Sequence, residues 1–325
     1  MKAILCTKYG SPDVLELKEV EKPAPRDNQV LVKIHAASAN PLDWHGMRGA
    51  PFLVRLGGGF SKPKDPRLGA DLAGTIEAVG KAVTRFQPGD EVFGLAGGTF
   101  AEYTCVAEDA LVLKPANISF EQAAAVPVAA YTALQGLRNT GHIQSGQKVL
   151  VNGAAGGVGT FAVQIARSFG AEVTGVCSTS NLELVRSIGA AQVIDYTRED
   201  FTNNGRHYDL IYDAVANRSI SELQRALNPG GICVVAGFSN LFNLVKLMLF
   251  GPWASRRENK KVGMMDMASS NQKDLIFIRG LLETGKVIPV IDRCYPLNET
   301  PEAIRYLEKG HAHGKVIITI EQNSK

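Results

Sequence analysis

The pattern of apolar and polar residues changes near residue 120. Before it, short runs rich in β-branched and aromatic residues are separated by glycine, proline and aspartate, which predicts a β-rich region. After it, an alanine-rich helical segment is followed by apolar strands that alternate with helices, as in a parallel sheet built from βαβ units. The predicted strands of this second part are 148–152, 172–177, 192–194, 210–213, 231–236 and 262–265.

The end of the chain does not continue this alternation. Helices are predicted at 272–283 and 301–309, and a final strand at 314–320. We therefore expect an α/β protein with two domains. Residues 1–122 and 268–325 are predicted to form a β-rich domain, and residues 123–267 a doubly wound parallel-sheet domain.

Composition and charge narrow the classes of function. The formal net charge is +3, and the charges are spread along 325 residues without a long block of one sign, which argues against nucleic acid and for a small-molecule substrate. The five cysteines are widely scattered, so the close pairs of a zinc ribbon are absent and a reducing cytoplasm is expected. The apolar run at the N-terminus is too short for a signal peptide, which favours the same cytoplasmic location.

A glycine-rich turn follows the first predicted strand of the parallel sheet. Residues 152–159 read NGAAGGVG and precede an amphipathic segment, which is the strand, turn and helix context of a dinucleotide site. Residues without bulky side chains let the backbone N–H groups of a helix N-terminus approach a pyrophosphate. We therefore predict that this turn binds an adenine dinucleotide.

The end of the second strand of the sheet bears on which dinucleotide binds. It reads VCSTSN over 176–181 and contains no carboxylate, which an NAD site normally uses to bind the ribose 2′-hydroxyl. The hydroxyls of Ser178 and Thr179 can donate to a 2′-phosphate, so we expect NADPH. The nearest cations are Arg186 and Arg198, and a helix cap is the alternative interpretation of the polar residues.

Ordered motifs along nearly the whole chain resemble the medium-chain dehydrogenase/reductase superfamily, and within it the zinc-independent quinone oxidoreductase branch. They are ASANPLD at 37–43, GADLAG at 69–74, QPGDEV at 87–92, the glycine-rich turn, DY at 195–196 and GKV at 314–316. The resemblance implies a GroES-like β-rich catalytic domain joined to a Rossmann domain. It also implies reduction of quinones or α,β-unsaturated carbonyls by NADPH, and we expect a homodimer.

The resemblance also bears on metal binding. Zinc members of the superfamily carry a cysteine at the place of Asn40 and Gly-His-Glu at the place of Gly69, Ala70 and Asp71, and they insert a four-cysteine lobe near residues 95–100. This chain has neither ligand set, so we predict no metal. Without a Lewis acid, hydride delivery to an activated C=C bond or a quinone ring is the expected chemistry.

The resemblance assigns cofactor residues one by one. Asn40 and Thr132 would lie near the nicotinamide, with Gly237 and Phe238 beside it; capping, turn or core roles are the alternatives. Lys315 would reach the phosphates, or it is a solvated surface charge. The other candidates are those near the pyrophosphate (Ala154, Ala155, Gly156, Gly157 and Val158) and those near the adenosine 2′-phosphate (Ser178, Thr179 and Tyr196).

The reduced product needs a proton. The nearest ionisable candidate to Asn40 is Asp43, for which turn formation after Pro41 is an equal alternative. Tyr131 would substitute if it faces the cleft. Related enoyl-thioester reductases place a tyrosine acid in the segment equivalent to 44–60, where this chain has none. Enoyl-thioester reduction is therefore an alternative function, and a nucleotide-binding interaction protein with little turnover is another.

The most apolar stretch is 241–253, which is followed by basic residues up to Lys261. It is too short and too interrupted to span a membrane. Three interpretations stand: the wall of a lipophilic substrate pocket, a packing or dimer contact, and a weak membrane-surface contact through 241–261. The facing wall of such a pocket would be formed by Phe52, Leu53, Val54 and Leu56.

Overall fold

The structure, a computed structural model, describes residues 1–237, 259–266 and 268–321. The chain divides into two units. The first contains Met1–Val128, Ser270–Thr284 and Pro289–Lys325, and the second contains Ala129–Ser269 and Gly285–Ile288. The first boundary between the units therefore follows residue 128, whereas the sequence predicted it after residue 122. A short segment after the helix 272–283 belongs to the second unit.

The described residues form fifteen strands and nine α-helices. The strands are β1 (Lys2–Cys6), β2 (Leu15–Glu19), β3 (Gln29–Ala39), β4 (Asp71–Val79), β5 (Glu91–Leu95), β6 (Tyr103–Ala107), β7 (Leu111–Leu113), β8 (Lys148–Asn152), β9 (Glu172–Cys177), β10 (Gln192–Asp195), β11 (Tyr208–Asp213), β12 (Leu227–Val235), β13 (Lys261–Met264), β14 (Ile291–Pro296) and β15 (Lys315–Thr319). The helices are α1 (Pro41–Arg48), α2 (Leu53–Gly58), α3 (Phe120–Ala124), α4 (Pro127–Gln135), α5 (Gly157–Ser168), α6 (Leu182–Ser187), α7 (Ile220–Arg225), α8 (Gln272–Glu283) and α9 (Thr300–Glu308).

The first unit is built on a seven-stranded sheet in the order β14-β15-β3-β4-β5-β7, with β6 paired to β3 and a separate hairpin of β1 and β2. The long strand β3 is buried along most of its length because it has strands on both sides. Ser38 near its end pairs with Asp71 at the start of β4, and Ala39 pairs with Val316 of β15. This register places the end of β3 and the starts of β4 and β15 side by side.

The second unit contains a six-stranded parallel sheet in the order β10-β9-β8-β11-β12-β13. In order of appearance this is 3-2-1-4-5-6, the Rossmann arrangement, whose ligand crevice lies at the carboxyl ends of the strands. The predicted α/β fold with a β-rich unit and a parallel-sheet unit is confirmed. Apolar residues such as Leu150, Val176 and Ile211 form the core beneath this sheet.

The apolar stretch 241–253 and Phe238 lie outside the described residues. In the part of the chain that the structure describes, no helix combines the length and the apolar character needed to cross a membrane.

Candidate active site

A buried polar cluster lies where β3 ends and where β4 and β15 begin. Asn40, Asp71 and Lys315 are 2%, 0% and 3% exposed. The Nζ of Lys315 lies 2.6 Å from Asn40 Oδ1 and 3.3 Å from Asp71 Oδ2. The same Asp71 oxygen accepts hydrogen bonds from the Ser38 hydroxyl (2.5 Å) and from Asn40 Nδ2 (2.8 Å). One carboxylate and one ammonium therefore hold the Asn40 side chain from two sides.

This cluster fixes the orientation of the Asn40 amide. Its Nδ2 donates to Asp71 Oδ2 and to the Ser38 carbonyl at 3.2 Å, which uses both N–H groups. Its Oδ1 accepts from Lys315, and a carbonyl oxygen has a second lone pair. Any additional partner of this side chain must therefore be a hydrogen-bond donor.

The cluster does not fit a zinc ion. The second oxygen of Asp71 accepts the Val128 backbone N–H at 2.8 Å, so both carboxylate oxygens already have donors. The Lys315 ammonium, 3.3 Å from Asp71 Oδ2, would repel a metal cation. Across residues 1–237, 259–266 and 268–321, no three His, Cys, Asp or Glu side chains form a group that could hold a metal. The absence of a bound metal stays a prediction.

The structure tests one of the two interpretations of Lys315. The interpretation as a solvated surface charge is wrong, because Lys315 is only 3% exposed. The phosphate contact implied by the resemblance stays a prediction, and it would require the ammonium to leave Asn40 or Asp71. Lys315 instead acts here as the counter-charge of a buried carboxylate.

Asp43 is buried in the first turn of α1 and is 1% exposed. Its Oδ2 accepts the backbone N–H of Asn40 at 2.7 Å, which caps the start of the helix. Burial raises the pKa of Asp43 to about 7; the hydrogen bond from Asn40 opposes the rise and the charge of Asp71 adds to it. The capping role is therefore seen directly, and the role as proton donor stays a prediction.

Asp43→Asn is expected to remove a pH dependence of folding stability. The folded pKa is about 7 and the ordinary value is near 4, so the folded protein holds a proton that the unfolded chain loses between these values. The free energy of unfolding must then fall as the pH rises through this window, by up to roughly 4 kcal/mol. Urea unfolding at pH 5 and pH 8 measures the effect.

The exposed Asp27 provides the matched control for this measurement. The difference in unfolding free energy between the two pH values should shrink in Asp43→Asn and persist in Asp27→Asn. An unchanged difference in Asp43→Asn would show that this carboxyl group does not hold a proton near neutral pH.

The glycine-rich turn lies between β8 and α5 in the second unit. The Val176 carbonyl accepts the N–H groups of Gly153 (3.2 Å) and Ala154 (3.0 Å), which fold the turn over the neighbouring strand. Gly153 has φ +82°, and a Cβ on Gly159 would lie 2.0 Å from the Gly153 carbonyl oxygen. The first N–H groups of α5 lack intrahelical acceptors, and its first turn has no acidic residue. The turn therefore fits an anion such as a pyrophosphate.

The next two strands bring the predicted 2′-phosphate residues together with an acid. Ser178 and Thr179 follow β9, and Tyr196 follows β10 and is 53% exposed. The Thr179 hydroxyl donates to Asp195 Oδ2 at 2.5 Å, and the Arg198 Nε lies 3.7 Å from the same oxygen. The hydrogen bonds from Thr179 and Thr197, together with the charge of Arg198, hold the pKa of Asp195 below its usual range.

The end of β9 itself carries no carboxylate, as the sequence indicated, but the neighbouring strand β10 supplies one at the same end of the sheet. Asp195 ends β10, which pairs with β9 so that Asp195 lies opposite Cys177. The available signal was the DY motif itself, because neighbouring parallel strands place their carboxyl ends together. Any adenosine 2′-substituent bound near Thr179 therefore meets a negative and a positive side chain.

The remaining candidates lie in the second unit. Tyr131 in α4 is 1% exposed, and the Thr132 carbonyl accepts the Tyr212 hydroxyl at 3.1 Å. Gly237 follows β12, where a Cβ would lie 2.6 Å from the Ala214 carbonyl oxygen. The structure thus brings one set of candidates to the carboxyl edge of the parallel sheet (Ala154, Ala155, Gly156, Gly157, Val158, Ser178, Thr179, Tyr196 and Gly237) and another to one end of the first unit's sheet (Asn40, Asp43 and Lys315).

Comparison with known proteins identifies the family. The alcohol dehydrogenase GroES-like domain model matches residues 26–116, and the zinc-binding dehydrogenase model matches residues 188–318. Over 98% of its length, the chain is 38% identical to the 2-methylene-furan-3-one reductase of Solanum lycopersicum and 35% identical to the NADPH-dependent alkenal/one oxidoreductase of Arabidopsis thaliana, and it covers 79% of each. The quinone oxidoreductase from Coxiella burnetii superposes with a TM-score of 0.84 at 30% identity over 99% of both chains. The chain is therefore an oxidoreductase of the medium-chain dehydrogenase/reductase superfamily, with quinone oxidoreductase-like proteins among its relatives.

Proposed function

We propose that the protein is a zinc-free reductase that uses NADPH to reduce quinones or α,β-unsaturated carbonyls, with a preference for lipophilic acceptors. The observation that carries this proposal is the cluster of Asn40, Asp71 and Lys315, in which the Lys315 ammonium disfavours a metal cation and the Oδ1 of Asn40 can accept a hydrogen bond from an organic ligand. The names of the relatives agree, since alkenals, enones and 2-methylene-furan-3-one all contain a C=C bond conjugated to a carbonyl.

The candidate residues divide between cofactor binding and the orientation of a ligand group. NADPH, when bound, supplies a hydride. The N-terminus of α5 and the turn before it would hold the pyrophosphate, and Ser178, Thr179 and Arg198 would bind the adenosine end. Asn40 presents the free lone pair of Oδ1 to a donor group of a ligand, and Asp71 and Lys315 keep it from rotating.

The acceptor itself explains why no Lewis acid is required. A quinone or a conjugated carbonyl delocalises the incoming negative charge onto its own oxygen. The chain then has to exclude water and deliver one proton, and Asp43 is the candidate group because its raised pKa of about 7 keeps part of it protonated at neutral pH.

The surface near α1 and α2 supports lipophilic acceptors. Leu42, Phe52, Leu56 and Phe60 are 48%, 55%, 64% and 69% exposed, although they are large apolar residues. The rings of Phe52 and Phe60 meet edge to face with centroids 5.5 Å apart. Exposed aromatic side chains in mutual contact, such as Phe52 and Phe60, are typical of a region that binds apolar ligands.

The proposal is tested by following NADPH oxidation with three acceptors: a quinone, an alkyl enone and an enoyl-CoA thioester. The quinone and the enone should be reduced, and the thioester should react at least tenfold more slowly. Fastest reduction of the thioester would establish the enoyl-thioester alternative instead. Tight NADPH binding with no oxidation by any acceptor would identify a nucleotide-binding interaction protein.

Activity is expected to survive chelation. Both oxygens of the Asp71 carboxylate already accept hydrogen bonds, so Asp71 is not available as a metal ligand. Removing metals should therefore change kcat/KM for the enone by less than about twofold. Dialysis against a chelator, followed by metal analysis and an assay, measures this. About one Zn²⁺ per chain that leaves together with the activity would contradict the prediction.

Asp195→Asn is expected to increase the preference for NADPH over NADH. A 2′-phosphate bound beside Thr179 meets the Asp195 carboxylate, and the two negative charges repel each other. Removing this repulsion should raise NADPH affinity about fivefold to tenfold and leave NADH affinity nearly unchanged. Fluorescence titration of both cofactors measures the ratio.

Arg198→Gln provides the opposite charge change at the same place. It should weaken NADPH binding and spare NADH. If neither variant changes the ratio of the two affinities, the 2′-substituent is not bound near Thr179. The cytoplasmic location and the homodimer stay predictions.

A further inference from the structure

Two polar side chains end the two central strands of the parallel sheet. Asn152 is the last residue of β8, Asp213 is the last residue of β11, and the two residues lie opposite each other in the pairing of these strands. The order of the strands along the chain reverses between β8 and β11. A dinucleotide binds across the crevice that such a reversal leaves at the carboxyl ends of the strands. Asn152 and Asp213 therefore stand at the strand ends that form this crevice.

The Asp213 carboxylate fixes the loop that follows β11, residues 214–217. Its Oδ1 accepts hydrogen bonds from the backbone N–H groups of Val215 (3.0 Å) and Ala216 (2.9 Å), and from Asn152 Nδ2 (2.9 Å). The same nitrogen of Asn152 also donates to Asn217 Oδ1 at 3.3 Å, so the loop is tied to the end of β8 as well. Asp213 is fully buried, so it acts through the loop and not by touching a ligand.

The loop contains a strained backbone conformation. Ala216 has φ +56°, in the left-handed region that residues with a Cβ rarely adopt. The hydrogen bond from its N–H to Asp213 Oδ1 holds the residue in this conformation. Strain of this kind persists only where the surroundings determine the backbone strongly, and it is concentrated at ligand-binding sites. The conformation of the loop therefore depends on the acceptor that Asp213 provides.

The loop packs closely against two glycines that are cofactor candidates or their neighbours. A Cβ on Gly153 would lie 2.7 Å from Val215 Cγ2, so the Val215 side chain packs against the start of the glycine-rich turn. A Cβ on Gly237 would lie 2.6 Å from the Ala214 carbonyl oxygen, so the backbone of the loop also touches the end of β12. The candidates for the adenosine end follow β9 and β10, on the other side of β8. A displaced loop would therefore disturb the β11 side of the crevice and spare the adenosine end.

We propose that Asp213 is a positioning residue for the nicotinamide half of the cofactor. A doubly wound sheet binds the two halves of a dinucleotide on opposite sides of the strand reversal. Because the adenosine candidates lie on the β9 and β10 side, the nicotinamide half falls on the side of β11 and its loop. By accepting the N–H groups of Val215 and Ala216, Asp213 keeps the loop in the shape that this half requires. The inference rests on the proposed use of NADPH.

Calorimetric titration of the full chain with NADPH and with adenosine 2′,5′-bisphosphate, which lacks the nicotinamide half, tests the proposal. Asp213→Ala removes the acceptor of three donors, so it should weaken NADPH binding at least about tenfold. The affinity for adenosine 2′,5′-bisphosphate should change by less than about threefold. Asp213→Asn keeps an acceptor oxygen for the same donors and should bind NADPH within about threefold of the unmodified protein. Each titration is made well below the thermal midpoint of the variant.

Asp209 provides the matched control, because it lies in the same strand and bridges the same two strands at their other ends. Its carboxylate accepts the Lys148 backbone N–H and Asn228 Nδ2, both at 2.8 Å. Asp209→Ala should lower the thermal midpoint and leave the affinities for both ligands unchanged.

Three results would contradict the proposal. Equal weakening of both ligands in Asp213→Ala would show a general loss of structure in the second unit. Weakening of NADPH binding in Asp213→Asn as strong as in Asp213→Ala would assign the effect to the negative charge instead of the anchored loop. Unchanged NADPH binding in Asp213→Ala would show that the loop does not position the cofactor. An unmodified protein that binds neither ligand would instead refute the proposed function itself, and this inference with it.

Discussion

Replacing Lys315 with methionine should destabilise the protein by about 3–5 kcal/mol, because it leaves the Asp71 carboxylate buried without its counter-charge. Asp71 is 0% exposed, so water cannot take over the role of the ammonium. The Asn40 amide also loses the donor that fixes its Oδ1, and activity should fall further than the loss of folded protein explains. Denaturant unfolding and kcat measured well below the unfolding transition separate the two effects.

Two variants make this result specific to the buried pair. Lys22 forms an exposed ion pair with Glu77, so Lys22→Met should cost less than about 1 kcal/mol. Adding Asp71→Asn to Lys315→Met removes the unpaired charge, and part of the lost stability should return. Equal costs for Lys315→Met and Lys22→Met would mean that the Asp71–Lys315 contact does not stabilise the fold.

Gly159→Ala should weaken cofactor binding, and this is the second large effect that we expect. A Cβ at this position would lie 2.0 Å from the Gly153 carbonyl oxygen and 2.9 Å from the Ala154 Cα, and both of these are backbone atoms of the turn. The start of α5 must therefore move away from the turn, at a cost of about 1–3 kcal/mol in stability. NADPH affinity should fall tenfold or more, at ~1.4 kcal/mol per tenfold.

The matched control is Gly280→Ala in α8. A Cβ on Gly280 meets nothing within 4 Å, so alanine there should be neutral or should stabilise the helix by about 0.5–1 kcal/mol. Fluorescence titration with NADPH compares the two variants. Undiminished binding in Gly159→Ala would mean that the pyrophosphate does not approach this turn.

The sequence predicted well those elements whose own residues determine them. The bounds of β8, β9 and α8 agree with the predicted 148–152, 172–177 and 272–283, because buried parallel strands are short apolar runs and α8 has a regular apolar face. Strand β2 does not form such an apolar run, because only Leu15 of its residues is buried. Strand β14 was missed because it is half-exposed and ends in proline.

The same distinction between local and long-range determinants applies to the candidate sites. The glycine-rich turn is a continuous motif, so its residues could be predicted together. The buried cluster joins Asn40 to Lys315, 275 positions apart, through the pairing of β3 with β15, and no local pattern contains that pairing. The contact of Thr179 with Asp195 likewise depends on β9 and β10 being neighbours. Positions in the fold, rather than residue types, decided these roles.

The most direct test of the proposed function is the product formed from an alkyl enone and NADPH in which both hydrogens at C4 of the nicotinamide are deuterium. Mass spectrometry and NMR of the product locate the label. We predict a saturated ketone with one deuterium at the β-carbon and a solvent-derived proton at the α-carbon, formed equally well in the presence of a chelator. An allylic alcohol with deuterium on the carbonyl carbon, or a reaction that stops when metal is removed, would contradict the assignment of this chain as a zinc-free enone and quinone reductase.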